Sequence, residues 1–120
     1  MKAAWKTRNN AFLIGSTYVG AAVLAENGKV YSGCNVEHKY RCHDVHAEVN
    51  AITNMVSDGE KYFKAILIVA ERKRFTPCGS CMDWIIQHGS IDCKVAYQNE
   101  VNGKLNIHTA KELMPYYPED

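Results

Sequence analysis

The spacing of hydrophobic and polar residues predicts a helix and a pair of strands in the first part of the chain. Residues 2–13 carry apolar side chains at roughly helical spacing, interrupted by a pair of asparagines. Two runs rich in β-forming residues follow at positions 18–25 and 30–36. Asn27 and Gly28 between them tolerate positive φ and are typical of a hairpin turn, so the two runs are predicted to pair antiparallel.

Helical and strand-like patterns alternate in the middle of the chain. A helix is predicted from Asp44, its expected N-cap, to residues 57–59. Its apolar stripe consists of Val45, Val49, Ile52 and Val56. Residues 64–70 are continuously apolar, as expected of a strand that is covered on both faces. Pro77 favours the start of a second helix, which is predicted to end at Gly89.

Three shorter elements complete the pattern and define the fold class. Strands are predicted at residues 93–97 and 105–108, and residues 109–112 have the spacing of a capping box, which predicts a short helix. A hairpin followed by strand–helix alternation is typical of a mixed sheet with helices on both faces. The expected fold is an α/β protein, a three-layer α/β/α sandwich with about five strands, in which residues 1–120 form a single domain.

Composition and charge exclude several classes of function. The chain has 14 basic and 13 acidic side chains, and a net charge of +1 gives no general attraction to nucleic acid or anionic membranes. No apolar run approaches the roughly 20 residues that span a bilayer, and the first ten residues lack a signal peptide's apolar stretch. The five cysteines, an odd number, favour reduced thiols or metal ligands over disulfides. We therefore expect a cytoplasmic protein.

Two short segments carry the candidate chemistry: His46-Ala47-Glu48 and the Cys-x-x-Cys of residues 78–81. One imidazole and two thiolates can bind zinc and leave the fourth position open for water, as in a catalytic zinc site. Each segment is predicted to begin a helix, whose free N–H groups and dipole stabilise thiolates. In a regular helix His46 and Glu48 would point about 200° apart. His46 is therefore expected at the irregular entry to its helix, so that Glu48 can reach the bound water and move a proton to a substrate nitrogen.

Together the two segments form the pattern H-x-E…P-C-x-x-C, which is the signature of zinc-dependent nucleobase deaminases. Residues 33–37, Gly-Cys-Asn-Val-Glu, match a G-x-N-[IV]-E element that follows the hairpin. Residues 19–22 match a V-G-A-A strand, and residues 112–115 are similar to a C-terminal E-L-L-P. Over residues 18–120 the chain resembles the short free-nucleoside cytidine deaminases, which are usually homotetramers.

This resemblance implies a role for each matching residue. The implied zinc ligands are His46, Cys78 and Cys81. Glu48 would be the proton shuttle, and the backbone N–H of Ala47 would meet O2 of the pyrimidine. Asn35 and Glu37 would bind the ribose 3′-hydroxyl. The implied reaction is attack of activated water on C4 of cytidine or 2′-deoxycytidine, protonation of N3 through Glu48, and loss of ammonia.

The chain departs from this family at three places. Short members usually have cysteine where His46 stands and arginine where Val49 stands. Because Zn²⁺ with one imidazole and two thiolates is neutral, the arginine that offsets a third thiolate is not required. Residues 38–44 differ from the family's Asn-Ala-x-Tyr-like stretch, and we expect them to line the pocket and to alter its specificity. In place of the family's S-x-F-P approach the chain has Ser16-Thr17-Tyr18, so the aromatic residue that encloses the substrate is either missing or supplied by Tyr18.

Other interpretations stay open on the sequence alone. The substrate could instead be a modified or antibiotic nucleoside, as for blasticidin-S deaminases. A base in nucleic acid fits less well, because the chain has no basic–aromatic stripe. In a non-catalytic binding module, Cys42 or His43 would close a structural zinc site. The charged run at residues 71–74 is interpreted as a solvated loop. Tyr116-Tyr117 belongs either to a subunit interface or to packing on the chain's own body, and a tetramer is favoured over a dimer.

Overall fold

The computed structural model, which describes residues 1–73 and 76–118, consists of a mixed sheet with helices on both faces. The helices are α1 (Lys2–Arg8), α2 (Ala47–Ser57), α3 (Gly79–Gly89) and α4 (Ala110–Leu113). The strands are β1 (Val19–Ala25), β2 (Val30–Cys34), β3 (Phe63–Ala70), β4 (Lys94–Gln98) and β5 (Leu105–Thr109). A 3₁₀ turn over Arg41–His43 precedes α2. The predicted order of elements and the predicted fold class are confirmed.

The sheet has the strand order β2-β1-β3-β4-β5. Strand β1 pairs antiparallel with both β2 and β3, and Gly28, with φ of 89°, makes the hairpin turn between β1 and β2. Strands β3 and β4 are parallel, and β5 returns antiparallel to β4. A parallel pair needs a crossover, which here is α3. Helix α3 therefore starts beyond the carboxyl end of β3.

The two layers of helices are unequal. Helices α2, α3 and α4 pack on one face and form the larger core with β1, β3 and β4, whose central side chains include Val23, Ile52, Ile66, Met82 and Ile85. On the other face α1 packs alone, with Ala4 against Ala22 and Val69. Because α1 has seven residues, part of this face stays uncovered, and Leu24 and Val30 are exposed. In the described part of the chain, no helix has the length and apolarity needed to cross a membrane.

Two details of α2 were predicted wrongly. Its buried residues are Ala47, Glu48, Ala51, Ile52 and Met55, whereas Val56 of the predicted stripe is 42% exposed. The N-cap is His46 and not Asp44, whose carboxylate accepts hydrogen bonds from the His38 N–H and the Arg41 guanidinium instead. Small residues rather than the valines face the sheet, because α2 lies very close to β2.

Gly33 in β2 allows this close approach. A Cβ at Gly33 would come within 2.4 Å of the Ala51 nitrogen and 2.8 Å of the Ala47 carbonyl oxygen. The Cys34 N–H donates to Oδ1 of Asn50 over 3.0 Å, which ties the end of β2 to the same helix. Helix α2 is thereby placed with its first residues beside the segment that follows β2.

We expect Gly33→Ala to lower the free energy of unfolding by about 2 kcal/mol, because the added methyl group must push α2 away from β2. The matched control is Gly79→Ala at the start of α3, where nothing lies within 4 Å of an added Cβ. That change should alter the unfolding free energy by less than about 0.5 kcal/mol. Chemical denaturation of both variants measures the difference, and equal stabilities would contradict the packing argument.

Candidate metal centre

Three side chains that can ligate a metal meet where α2 and α3 begin. His46 is the N-cap of α2, with an extended backbone at φ −75° and ψ 154°. Cys78 is the N-cap of α3, with φ −73° and ψ 167°, and Cys81 lies in the first turn of that helix. His46 thus has the non-helical backbone that brings His46 and Glu48 to one site.

The ligand atoms are close enough together to share one ion. His46 Nδ1 lies 3.2 Å from Cys81 Sγ and 3.5 Å from Cys78 Sγ, and all three atoms lie within 4.8 Å of one another. Tetrahedral zinc with its usual bond lengths to nitrogen and sulfur would separate these atoms by about 3.6 Å. Within residues 1–73 and 76–118, neither Cys42 nor His43 joins the group. The donor set fits a zinc ion with one position left for another ligand.

The start of α3 arranges the two cysteines. Cys78 Sγ accepts a hydrogen bond from the Cys81 N–H over 3.5 Å, which caps the helix and turns both sulfurs to the same side. Burial raises the pKa of the Cys81 thiol, and the neighbouring Glu48 carboxylate and Cys78 add to the effect. A divalent cation would offset this cost, because metal binding favours the thiolate.

Glu48 is the buried carboxyl of the site. It lies in the first turn of α2, is 4% exposed, and adjoins the Cys81 thiol. Burial raises the pKa of Glu48, while its hydrogen bonds and the charge of His46 act in the opposite direction. A buried carboxyl beside the ligand atoms is placed to take up a proton and release it again, which is the requirement for acid–base catalysis.

Asn35 braces the segment that leads into β1. Its Oδ1 accepts from the Val19 N–H and its Nδ2 donates to the Thr17 carbonyl, both over 2.9 Å. Each polar atom of the amide retains capacity for one more hydrogen bond. Asn35 is therefore a structural residue that can still donate one hydrogen bond to a ligand and accept one from it.

Glu37 is held from two sides. Its Oε1 accepts from the Ile14 and Gly15 N–H groups, each over 2.7 Å, and its Oε2 accepts from Arg41 Nη2 over 3.0 Å. The Gly15 N–H, helped by Ile14 and Arg41, keeps the pKa of Glu37 below its usual range. Glu37 is consequently an oriented carboxylate at neutral pH.

A cavity of about 330 Å³ connects these groups. The sequence-predicted residues that line it are Asn35, Glu37, His46, Ala47, Glu48 and Cys78. Cys81 lies beneath it and is 1% exposed. Tyr18 does not line this cavity but an adjacent one near the N-terminal segment, where its ring stacks against Arg8. The expectation that Tyr18 encloses the substrate is not supported, because its ring is turned toward α1.

Three charged residues in the cavity wall were not predicted individually as residues of the site. Arg41 and Asp44 come from the segment that was expected to line the pocket, and both do so. Arg72 belongs to the run that was interpreted as a solvated loop, yet it also lines the cavity. Its position two residues after the end of β3 was the available signal, because sites form beyond the carboxyl ends of parallel strands. Arg74 of the same run lies outside the described residues.

Comparisons with known proteins agree with this geometry. A family model described as the zinc-binding region of cytidine and deoxycytidylate deaminases matches residues 1–97. A cytidine deaminase of Sporosarcina psychrophila is 36% identical over 114 residues, covering 92% of this chain and 82% of that protein. A blasticidin-S deaminase of Bacillus cereus is 34% identical, covering 82% and 74%. The crystal structure of a Burkholderia pseudomallei cytidine deaminase matches with a TM-score of 0.86 and 30% identity, covering 96% and 93% of the two chains.

We expect one zinc ion per chain, and we expect Cys81→Ser to reduce the zinc content at least tenfold, because a hydroxyl is a much poorer zinc ligand than a thiolate. Cys42→Ser is the control, since Cys42 is exposed and lies outside the three-residue group. Metal analysis after dialysis measures both variants. Loss of zinc from the Cys42 variant would point instead to a four-ligand structural site.

Proposed function

The chain belongs to the family of zinc-binding cytidine and deoxycytidylate deaminases, and we propose that it hydrolyses cytidine or 2′-deoxycytidine to uridine or 2′-deoxyuridine and ammonia. The observation that carries this proposal is the cavity in which His46 and Cys78 meet a buried carboxyl, Glu48. The enzyme is a hydrolytic deaminase, as its family and structural neighbours are. Cytidine is the substrate named for several of its relatives.

In the proposed site His46, Cys78 and Cys81 hold the zinc ion. Two thiolates balance the charge of Zn²⁺, so the neutral imidazole completes a shell without net charge. When bound, zinc lowers the pKa of water to near 7 and so makes hydroxide available as a nucleophile at neutral pH. His46 and Cys78 line the cavity, so an ion held by the three ligands would meet a nucleoside that enters it.

Glu48 moves the protons of the reaction. Its carboxylate takes a proton from the attacking water and delivers it to N3 of the pyrimidine, which makes C4 more electrophilic. The water oxygen forms a bond to C4, and Glu48 then carries the second proton of that oxygen to the exocyclic amino group. The C4–N bond breaks, C4=O forms and ammonia leaves. The position of Glu48 supports this role, because its buried carboxyl adjoins the Cys81 thiol and lines the cavity.

The substrate contacts follow from hydrogen-bonding groups that still have capacity. Ala47 is the first residue of α2, so its N–H has no acceptor within the helix and can donate to O2 of the pyrimidine. Asn35 Nδ2 retains one hydrogen and Glu37 Oε2 one lone pair. One sugar hydroxyl can therefore accept from Asn35 and donate to Glu37, which supports a nucleoside over a free base.

A modified or antibiotic nucleoside is the second candidate substrate. The similarity to a blasticidin-S deaminase favours it, as do the charged side chains of Arg41, Asp44 and Arg72 in the cavity wall. Relative kcat/KM values for cytidine, 2′-deoxycytidine and blasticidin S decide between the two. A preference for the unmodified nucleosides supports the first candidate.

We also propose a setting for the enzyme: a single domain over residues 1–120 that acts in the cytoplasm, in pyrimidine salvage, as a homotetramer. The uncovered sheet face supports self-association, because Leu24 and Val30 are exposed there beside α1. Tyr116, which is 96% exposed, is a further apolar contact available to a neighbouring subunit. A dimer is the smaller alternative.

We expect purified protein to release ammonia from cytidine, and we expect Glu48→Gln to lower kcat about 10³-fold, because the amide cannot accept the proton. The zinc content should stay unchanged, since Glu48 is not among the ligand atoms. Glu26→Gln, on the exposed hairpin turn, is the control and should keep wild-type kcat. Full activity in the Glu48 variant would refute its assignment as proton shuttle.

Light scattering should give a mass four times the 13.5 kDa of one chain. We expect Leu24→Glu to shift the protein to smaller species, because a carboxylate would have to be buried against the neighbouring subunit. Val101→Glu, at an exposed site in the loop between β4 and β5, should leave the mass unchanged. A wild-type monomer would exclude the homotetramer.

A further inference from the structure

Residues 37–45 form a closed loop between the sugar-binding element and the zinc-binding helix. Val36 and Val45 exchange two backbone hydrogen bonds of 2.8 Å each, which fastens the ends of the loop together. The loop therefore begins with Glu37 and ends directly before His46. Any side chain that fixes the shape of this loop also fixes Glu37 relative to the zinc ligands.

Arg41 is the side chain that connects the two ends of the loop. Its Nη2 donates to Glu37 Oε2 over 3.0 Å, and its Nε donates to Asp44 Oδ2 over 2.8 Å. Asp44 is itself fixed, because its other oxygen accepts from the His38 N–H over 2.8 Å. The planar guanidinium thus spans two carboxylates with a rigid geometry that an ammonium could not reproduce.

The positions of these side chains argue against a purely stabilising role. Arg41 is 55% exposed at its side chain, and ion pairs of such exposed groups contribute little to folding. Glu37, by contrast, is 11% exposed and faces the cavity. Three of the roughly four lone-pair sites of its carboxylate are already used, by Ile14, Gly15 and Arg41. The bond from Arg41 leaves a single direction on Oε2 open for a substrate.

We propose that Arg41 is a positioning residue, which orients the Glu37 carboxylate so that Oε2 accepts a ring hydroxyl of the nucleoside sugar. This inference rests on the proposed function. It assigns a task to residues 38–44: Arg41 holds Glu37 directly, and Asp44 in turn holds Arg41. Substrates that lack ring hydroxyls do not benefit from Arg41.

The test compares two ligands in the zinc-loaded enzyme. Arg41→Met should raise the KM for cytidine about 5- to 10-fold and change kcat less than twofold, because Glu37 touches the sugar and not the reacting atoms. The inhibition constant of 2′,3′-dideoxycytidine, which lacks both ring hydroxyls, should change less than twofold. Arg41→Lys should recover part of the lost affinity for cytidine, since one charge-assisted hydrogen bond to Glu37 can re-form.

The matched control is Lys39→Met in the same loop. The Lys39 ammonium lies 5.1 Å from the centre of the Tyr40 ring, and Lys39 does not line the cavity. The KM for cytidine and the inhibition constant of the dideoxynucleoside should therefore keep their wild-type values. Zinc content and thermal melting show whether each variant is folded. Should Arg41→Met be unfolded, Arg41→Lys carries the same comparison. Its KM for cytidine should then rise less, and the inhibition constant of the dideoxynucleoside should still stay unchanged.

Two results would overturn the inference while the proposed function stands. One is an unchanged KM for cytidine in the Arg41 variants. The other is an equal loss of affinity for cytidine and for the dideoxynucleoside, which would mean that Arg41 acts on the cavity as a whole. A zinc-loaded wild-type enzyme that does not deaminate cytidine would overturn the proposed function and this inference together.

Discussion

The whole site depends on the approach of two helix N-termini. His46 and Cys81 are separated by 35 positions in sequence, yet Nδ1 of one lies 3.2 Å from Sγ of the other. The parallel pairing of β3 and β4 requires α3 as a crossover. The first turn of α3 therefore lies beyond the carboxyl end of β3. Close packing of α2 on Gly33 then brings the start of α2 to the same place. Both helix dipoles point their positive ends at the cysteines, which favours thiolates and therefore a metal ion.

The motifs of the site could be predicted because their chemistry is encoded in short spacings. His46 had to leave regular helical geometry for Glu48 to share its site, and its extended backbone meets that condition. The capping box at Thr109 and Glu112 was equally local and is present. By contrast, the inward face of α2 was only partly predicted. Ile52 of the stripe is buried, but the helix turns Ala47 and Ala51 toward β2 and leaves Val56 exposed. That choice is made by tertiary packing, which periodicity alone does not contain.

The hydrogen bonds of the loop before α2 could not be predicted from the sequence, because several of the partners are distant along the chain. Glu37 finds its partners in the backbone of Ile14 and Gly15, more than twenty positions away. Asp44 has the residue type of an N-cap, but its carboxylate binds Arg41 and leaves the cap to His46. Competition between local and distant partners decides such cases, and the distant partners become known only when the chain is folded.

Asn35 and Glu37 stabilise the fold and also belong to the proposed substrate site. Both residues hold the N-terminal segment against the end of β2, through Thr17, Val19 and Gly15. Part of the cavity wall is thus held in place by the same two side chains that the proposed function assigns to the sugar. An asparagine can serve both purposes because it has two donors and two acceptor sites, and a carboxylate can because it has about four acceptor sites. Apolar residues at these positions would remove the wall together with the contacts, so that sugar recognition and the shape of the cavity are inseparable in this fold.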